Sequence, residues 1–233
     1  MSHHQQPQTI KSLAQNSQQQ QSSAKPLFKD FREPKLYDFG KEENLVKLKK
    51  HFATMIESEF YEYGRKLEIN EEMRKNLNFC MKWVIGIGID VKENKGLQFI
   101  GPIGLGKSAI LKAVFKLAKE LYSPVAYYFT ANKIAHVYRT MSTDEQSRID
   151  CNRILTCKLL FIDDIGTEDI KVFDSYPIQE VIRDRYDKRR VTSFTTNIVS
   201  PGEMVGRYTE SIEDKMNHGT YRIEFHGQTK RPV

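Results

Sequence analysis

The first chemistry legible in this chain lies in Gly101-Pro102-Ile103-Gly104-Leu105-Gly106-Lys107-Ser108. The run fits G-x-x-x-x-G-K-[ST]. It stands between a predicted strand, GLQFI, and a predicted helix, SAILKAVFKLAKELY, the context that pattern requires. Glycines at this spacing let the backbone turn tightly with its N–H groups directed inward, which makes an anion nest. The helix beginning near Lys107 adds the positive end of its dipole. Such a loop cradles a nucleoside triphosphate, so Gly101 through Ala109 form the candidate nucleotide-binding segment. Lys107 would reach the β- and γ-phosphates, and the Ser108 hydroxyl would ligate Mg²⁺. ATP and Mg²⁺ are the cofactors implied.

A second set of chemical groups ends a different apolar run. Leu159, Leu160, Phe161 and Ile162 lead into Asp163 and Asp164. A buried strand ending in carboxylates places them at the carboxyl edge of an open α/β sheet, where a phosphate loop also lies. In this Walker B pattern Asp163 would hold Mg²⁺ through a water and Asp164 would orient the attacking water. Many ATPases of this kind carry Glu at the second position, and Asp is one methylene shorter. Glu168, in the following loop, is therefore a second candidate for that role; otherwise it is a solvent-facing carboxylate.

These groups need elements to hold them. Residues 1–24 are rich in Gln and Ser with little to bury, which predicts a disordered tail. Residues 25–94 read as a helical N-terminal region. Its lead-in carries Phe28, Phe31, Tyr37 and Phe39. One helix runs from Glu42 to about Tyr63, and a second from Glu71 to about Ile85 is capped by Asn70 and ended by Gly86 and Gly88. Residues 95–233 read as the ATPase core. Beyond GLQFI, the strands are SPVAYYFT, KLLFIDDIG, VTSFTTN and TYRIEFHG. They alternate with the helices ANKIAHVYRTM, capped by Thr130, and IQEVIRDRYDKRR. This order predicts an α/β fold with a mostly parallel sheet flanked by helices. Only 36 residues follow Asn197, which leaves little room for a separate helical lid.

Composition bounds the class. The chain has 233 residues, a net charge of +6 and three cysteines without a C-x-x-C pair. No run is long and apolar enough to cross a bilayer, and the N-terminus lacks the apolar stretch of a secretory signal. Reduced thiols and a cytoplasmic location are the expectation. The basic balance mildly favours polyanionic partners. No zinc-finger spacing, RNP motif or helix-turn-helix argues for sequence-specific readout.

The ordered set LLFIDDIGTE, VIRDRYDKRR and SFTTN resembles helicase-loader ATPases of the DnaC and DnaI type and their IstB relatives. These are AAA+ P-loop proteins with an abbreviated or absent lid. The resemblance covers about residues 95–231. It implies that Asn197 is the sensor that contacts the γ-phosphate or the lytic water, with Thr195 and Thr196 as strand residues. It also exposes departures. Where the family has tyrosine-glycine-glutamate-arginine, this chain has Tyr208-Thr209-Glu210-Ser211, so the expected finger arginine is Ser211. A further family arginine corresponds to Lys215, a poorer replacement at a bidentate phosphate site. Arg207 is the candidate substitute finger. Arg231 matches the family's final arginine.

Basic clusters suggest where DNA would bind: Arg183, Arg185, Lys188, Arg189 and Arg190 first, then Lys47, Lys49 and Lys50, and Lys230 with Arg231. The leading expectation is a helicase loader that hydrolyses ATP slowly, assembles as a homo-oligomer on single-stranded DNA and grips a replicative helicase through its N-terminal region. The alternatives are a transposition helper that assembles on duplex DNA and recruits a transposase, and a nucleotide-gated binding module with little hydrolysis. A small-molecule kinase is disfavoured, because no arginine-rich acceptor lid is evident.

Overall fold

The computed structural model describes residues 41–62, 64, 69–86, 93–122, 126–168 and 175–227. The Gln/Ser-rich tail, the aromatic lead-in, Gly88, Lys230 and Arg231 lie outside the described residues.

Among the described residues, two helices precede the sheet. Helix α1 (Glu42–Glu62) turns Leu48, Phe52, Ile56 and Phe60 inward at helical spacing. Helix α2 (Glu71–Ile85) starts where the Asn70 side chain accepts a bond from the backbone N–H of Met73 at 2.7 Å. It stops at Gly86, whose φ of 72° suits a residue without Cβ. Both ends are as the sequence predicts.

Then the chain alternates: β1 (Gly96–Ile100), α3 (Lys107–Tyr122), β2 (Ala126–Thr130), α4 (Ala131–Thr140), α5 (Glu145–Thr156), β3 (Leu159–Ile165), α6 (Ser175–Asp187), β4 (Val191–Thr196), α7 (Pro201–Tyr208), α8 (Glu210–His218) and β5 (Thr220–Glu224). The strands form one sheet in the order β2-β3-β4-β1-β5, and every neighbouring pair is parallel. Thr130 caps α4 through its hydroxyl, accepting from Lys133 N–H at 3.1 Å.

Alternation along β3 divides the interior. Leu159 and Phe161 join one apolar cluster with α1, α2 and α3. Leu160 and Ile162 join the other, with residues of α4 through α8. The helices α7 and α8 occupy the connection from β4 to β5, so residues 198–224 serve the sheet itself.

Helix α6 begins and ends earlier than its sequence suggests. Lys188, Arg189 and Arg190 form a turn, with Arg189 at a φ of 52° and Arg190 N–H bonded back to Arg185 O at 2.8 Å. The basic run is therefore not one helical stripe.

Candidate nucleotide site

The strand order decides how the site is built. Strand β4 lies between β1, which feeds the glycine loop, and β3, which ends in the two aspartates. Parallel neighbours stand about 4.8 Å apart, so the loop and the aspartates are separated by roughly two strand spacings. The end of β4 delivers Asn197 into that gap. Phe60, Ile103, Gly104, Gly106, Lys107, Ser108, Ala109, Asp163, Asp164, Thr167 and Asn197 line one cavity of about 360 Å³ there.

Lys107 is buried and its ammonium is held by oxygen acceptors. It donates to Gly101 O at 2.7 Å, Pro102 O at 2.8 Å and Asn197 Oδ1 at 2.8 Å. An entering phosphate would exchange for some of these bonds. Gly101, at a φ of 151°, turns where a Cβ would stand 2.3 Å from Phe225 O. Gly106, at a φ of 87°, lies under the ring of Phe60, 2.3 Å from where its own Cβ would be. Helix α1 thus packs its last turn directly on the phosphate loop. Sequence reasoning missed this contact, because the two residues are far apart in the chain.

The aspartates depend on an irregularity of β3. Ile162 pairs with Phe194 and Ile165 with Thr196, so Asp163 and Asp164 together oppose the single residue Thr195. This is a β-bulge, and Asp164 takes a φ of 59° to complete it. In a regular strand successive side chains point to opposite faces. Here the bulge brings both carboxylates to the same cavity. Thr195 fastens it: its hydroxyl donates to Asp163 Oδ1 at 2.5 Å and accepts from Asp164 N–H at 2.8 Å. The second oxygen of Asp163 accepts from the Tyr128 hydroxyl at 2.7 Å. Thr195 is thus more than a strand residue.

Hard oxygen donors, Ser108 Oγ and the Asp163 carboxylate, suit Mg²⁺. No cluster of three or more His, Cys, Asp or Glu side chains able to hold a metal occurs among the described residues. When bound, the ion would neutralise charge developing on the phosphates.

Three expectations are corrected. Glu168 is not solvent-facing. Its carboxylate is buried, accepting from Gly166 N–H at 2.8 Å and from the Tyr208 hydroxyl. Burial pushes this carboxyl above the ordinary glutamate range, against the backbone N–H groups of Glu168 and Gly166 and the nearby Arg207. Arg207 is not projected outward as a finger; its guanidinium donates to Glu168 O and lies 3.5 Å from Glu168 Oε1. Arg185 is not a DNA contact. It is fully buried and donates to Thr192 Oγ1, Ile154 O, Cys157 O and Val191 O, because its fork reaches strand-edge and helix-end carbonyls that would otherwise lack partners.

The rest of the basic cluster is divided. Arg183 pairs with Glu180 and Lys188 with Asp184 on the surface, while Arg190 turns inward to Leu155 O. Arg189 and Arg190 line a second cavity of about 590 Å³ beside the amino end of β4, across the sheet from the nucleotide site. Lys215 also lines that cavity and bonds Asp187 at 2.6 Å. Lys47, Lys49 and Lys50 are exposed on α1.

The sheet order, the glycine loop and the acidic bulge define a P-loop protein of the AAA+ type. A family model described as IstB-like ATP binding protein matches residues 9–231, and the chain belongs to that family. No curated protein sequence matches it. Among solved structures it is similar to the DnaC helicase loader, with 20% identity and a TM-score of 0.61 over 76% of this chain and 99% of that one. It is also similar to DnaI, with 21% identity and a TM-score of 0.52 over 68% of this chain and 87% of that one. The AMPPCP-bound DnaA from Aquifex aeolicus follows the same fold, with 16% identity and a TM-score of 0.55 over 68% of this chain and 48% of that one.

Proposed function

We propose that this chain is an ATP-hydrolysing accessory factor of DNA replication, a helicase loader that assembles on single-stranded DNA. The observation that carries the ATPase part is the convergence of Lys107, Asn197, Asp163 and Asp164 on one cavity, with Lys107 and Asn197 joined at 2.8 Å. The shared fold with the DnaC helicase loader, over 76% of this chain and 99% of that one, supports the loader part. In this reading Lys107 holds the terminal phosphates and Asp164 orients a water for in-line attack on the γ-phosphorus. The bond to the ADP oxygen breaks, and Asn197 follows the γ-phosphate. Arg207 is tied to Glu168, so the chain turns over slowly unless a partner supplies a cation; such arginines contribute roughly 10³–10⁵ in rate.

The family match favours one second reading, a transposition helper on duplex DNA. Fluorescence anisotropy on matched single- and double-stranded oligonucleotides, with and without ATP and Mg²⁺, separates the two. ATP-dependent preference for single strands supports the loader, and preference for duplex supports the helper. Lys107→Ala tests the site itself. Loss of a charged hydrogen-bond donor costs about 1.5–3 kcal/mol, a roughly 10- to 150-fold fall in ATP affinity, with thermal stability retained. Unchanged affinity would remove the nucleotide reading.

A further inference from the structure

We infer that Tyr128 is a positioning residue of the nucleotide site, which sets through Asp163 how strongly nucleotide binding depends on a divalent cation. The inference rests on the nucleotide-site reading and adds to it a residue that none of the sequence motifs includes.

Strand β2 carries three aromatic residues in succession, Tyr127, Phe129 and, between them, Tyr128. Strand alternation sends Tyr127 and Phe129 to the cluster beneath α4 through α8. It sends Tyr128 to the opposite cluster, beneath the phosphate-loop helix α3. There its ring packs against Phe115, with centroids 5.5 Å apart, and Phe115 in turn meets Phe161 at 5.6 Å. Register completes the placement. Tyr128 pairs with Phe161 and Thr130 with Asp163, so a side chain leaning along β2 reaches the carboxylate diagonally. The hydroxyl meets Asp163 Oδ2 at 2.7 Å.

The chemistry of that contact is specific. Asp163 is buried, and among the described residues no Lys, Arg or His forms an ion pair with it. Each of its oxygens is held by one neutral hydroxyl, Tyr128 on one side and Thr195 on the other. A carboxylate offers about four lone-pair directions, so two hydroxyls fix its plane and leave sites for the waters of a hydrated cation. A lysine or arginine here would fix the plane equally well but would also neutralise the charge that attracts the cation. Neutral donors orient the group and keep its charge. Phenylalanine would fill the ring space against Phe115, so only the hydroxyl distinguishes the two.

The test is Tyr128→Phe in the full chain, titrated with a fluorescent ATP analogue in EDTA and again across a Mg²⁺ series. Loss of a partner that orients a metal-binding carboxylate costs about tenfold or more in metal affinity. The expected result is a roughly tenfold rise in the Mg²⁺ concentration at half-effect, with affinity in EDTA within about twofold of wild type. An unmoved Mg²⁺ midpoint overturns the inference. So does an equal loss of affinity in both conditions, which would make the hydroxyl a packing element. If wild-type protein binds no nucleotide, or binds it without regard to Mg²⁺, the nucleotide-site reading itself fails, and the wild-type titration shows this before the variant is compared.

Discussion

Thr209 shows what a single backbone position can cost. It joins α7 to α8 at a φ of 73° and a ψ of 154°, a region open almost only to glycine, and its side chain makes no capping bond to α8. The family pattern places glycine here. Strain of this kind costs about 1–3 kcal/mol, against which glycine adds about 0.4–1 kcal/mol of unfolded-state entropy. Thr209→Gly is therefore expected to stabilise the chain by about 1 kcal/mol, raising Tm by roughly 2–4 °C. Differential scanning calorimetry checks it; an unchanged or lower Tm would place the strain elsewhere. At this scale the sequence reveals residues whose neighbours along the chain define their chemistry. Lys107, Ser108, Asp163 and Asp164 sit in motifs whose spacing implies their roles. Tyr128, Thr195 and Phe60 could not be read the same way, since register and tertiary packing, not spacing, bring Tyr128 and Thr195 to Asp163 and Phe60 to the phosphate loop.

Elements were legible where periodicity or capping was strong. The amphipathic α3 and the Asn70 cap of α2 follow from pattern alone. Helix α5 did not, because it buries Ser147, Asp150 and Cys151 beside a single fully buried aliphatic residue, Ile154; its readable signal was Asp144, which caps Ser147 N–H at 2.7 Å. Pro201 at the start of α7 was another available signal. Between elements, Glu168 ties the loop after β3 to α7 through Tyr208 and Arg207. Burial raises its folded-state pKa above its unfolded value. Its neutral form is thus the one the fold prefers. The associated stability is fully present below the unfolded value and is lost as pH rises through the folded one. Urea midpoints should fall as pH climbs from the weakly acidic range. Glu168→Gln, which keeps an acceptor for Gly166 N–H without a titratable group, should flatten that descent. An identical pH profile in the variant would assign the dependence to another group.

At the scale of the whole molecule, helices α1 and α2 are part of the core rather than an appendage to it. Leu48, Phe52 and Ile56 of α1 and Trp83 of α2 share one buried cluster with Leu97, Phe99 and Phe161 of the sheet. Trp83 is the chain's single tryptophan. Its indole N–H donates to Lys95 O at 2.8 Å, and its ring stands edge-on to Phe161 at 6.3 Å. Its fluorescence therefore reports the union of helices and sheet, whereas far-ultraviolet circular dichroism reports helix throughout. In urea the two signals should follow one transition, as expected of a single cooperative unit. Phe52→Ala should move both midpoints together, since emptying a buried phenylalanine site costs about 3–5 kcal/mol. Because Phe60 of the same helix lies on Gly106, ATP with Mg²⁺ should raise both midpoints in step as well. A fluorescence transition that precedes the loss of most helix would show that α1 and α2 detach first. The nucleotide site would then stand on the sheet alone, and Phe60 would cover the phosphate loop only while those helices remained docked.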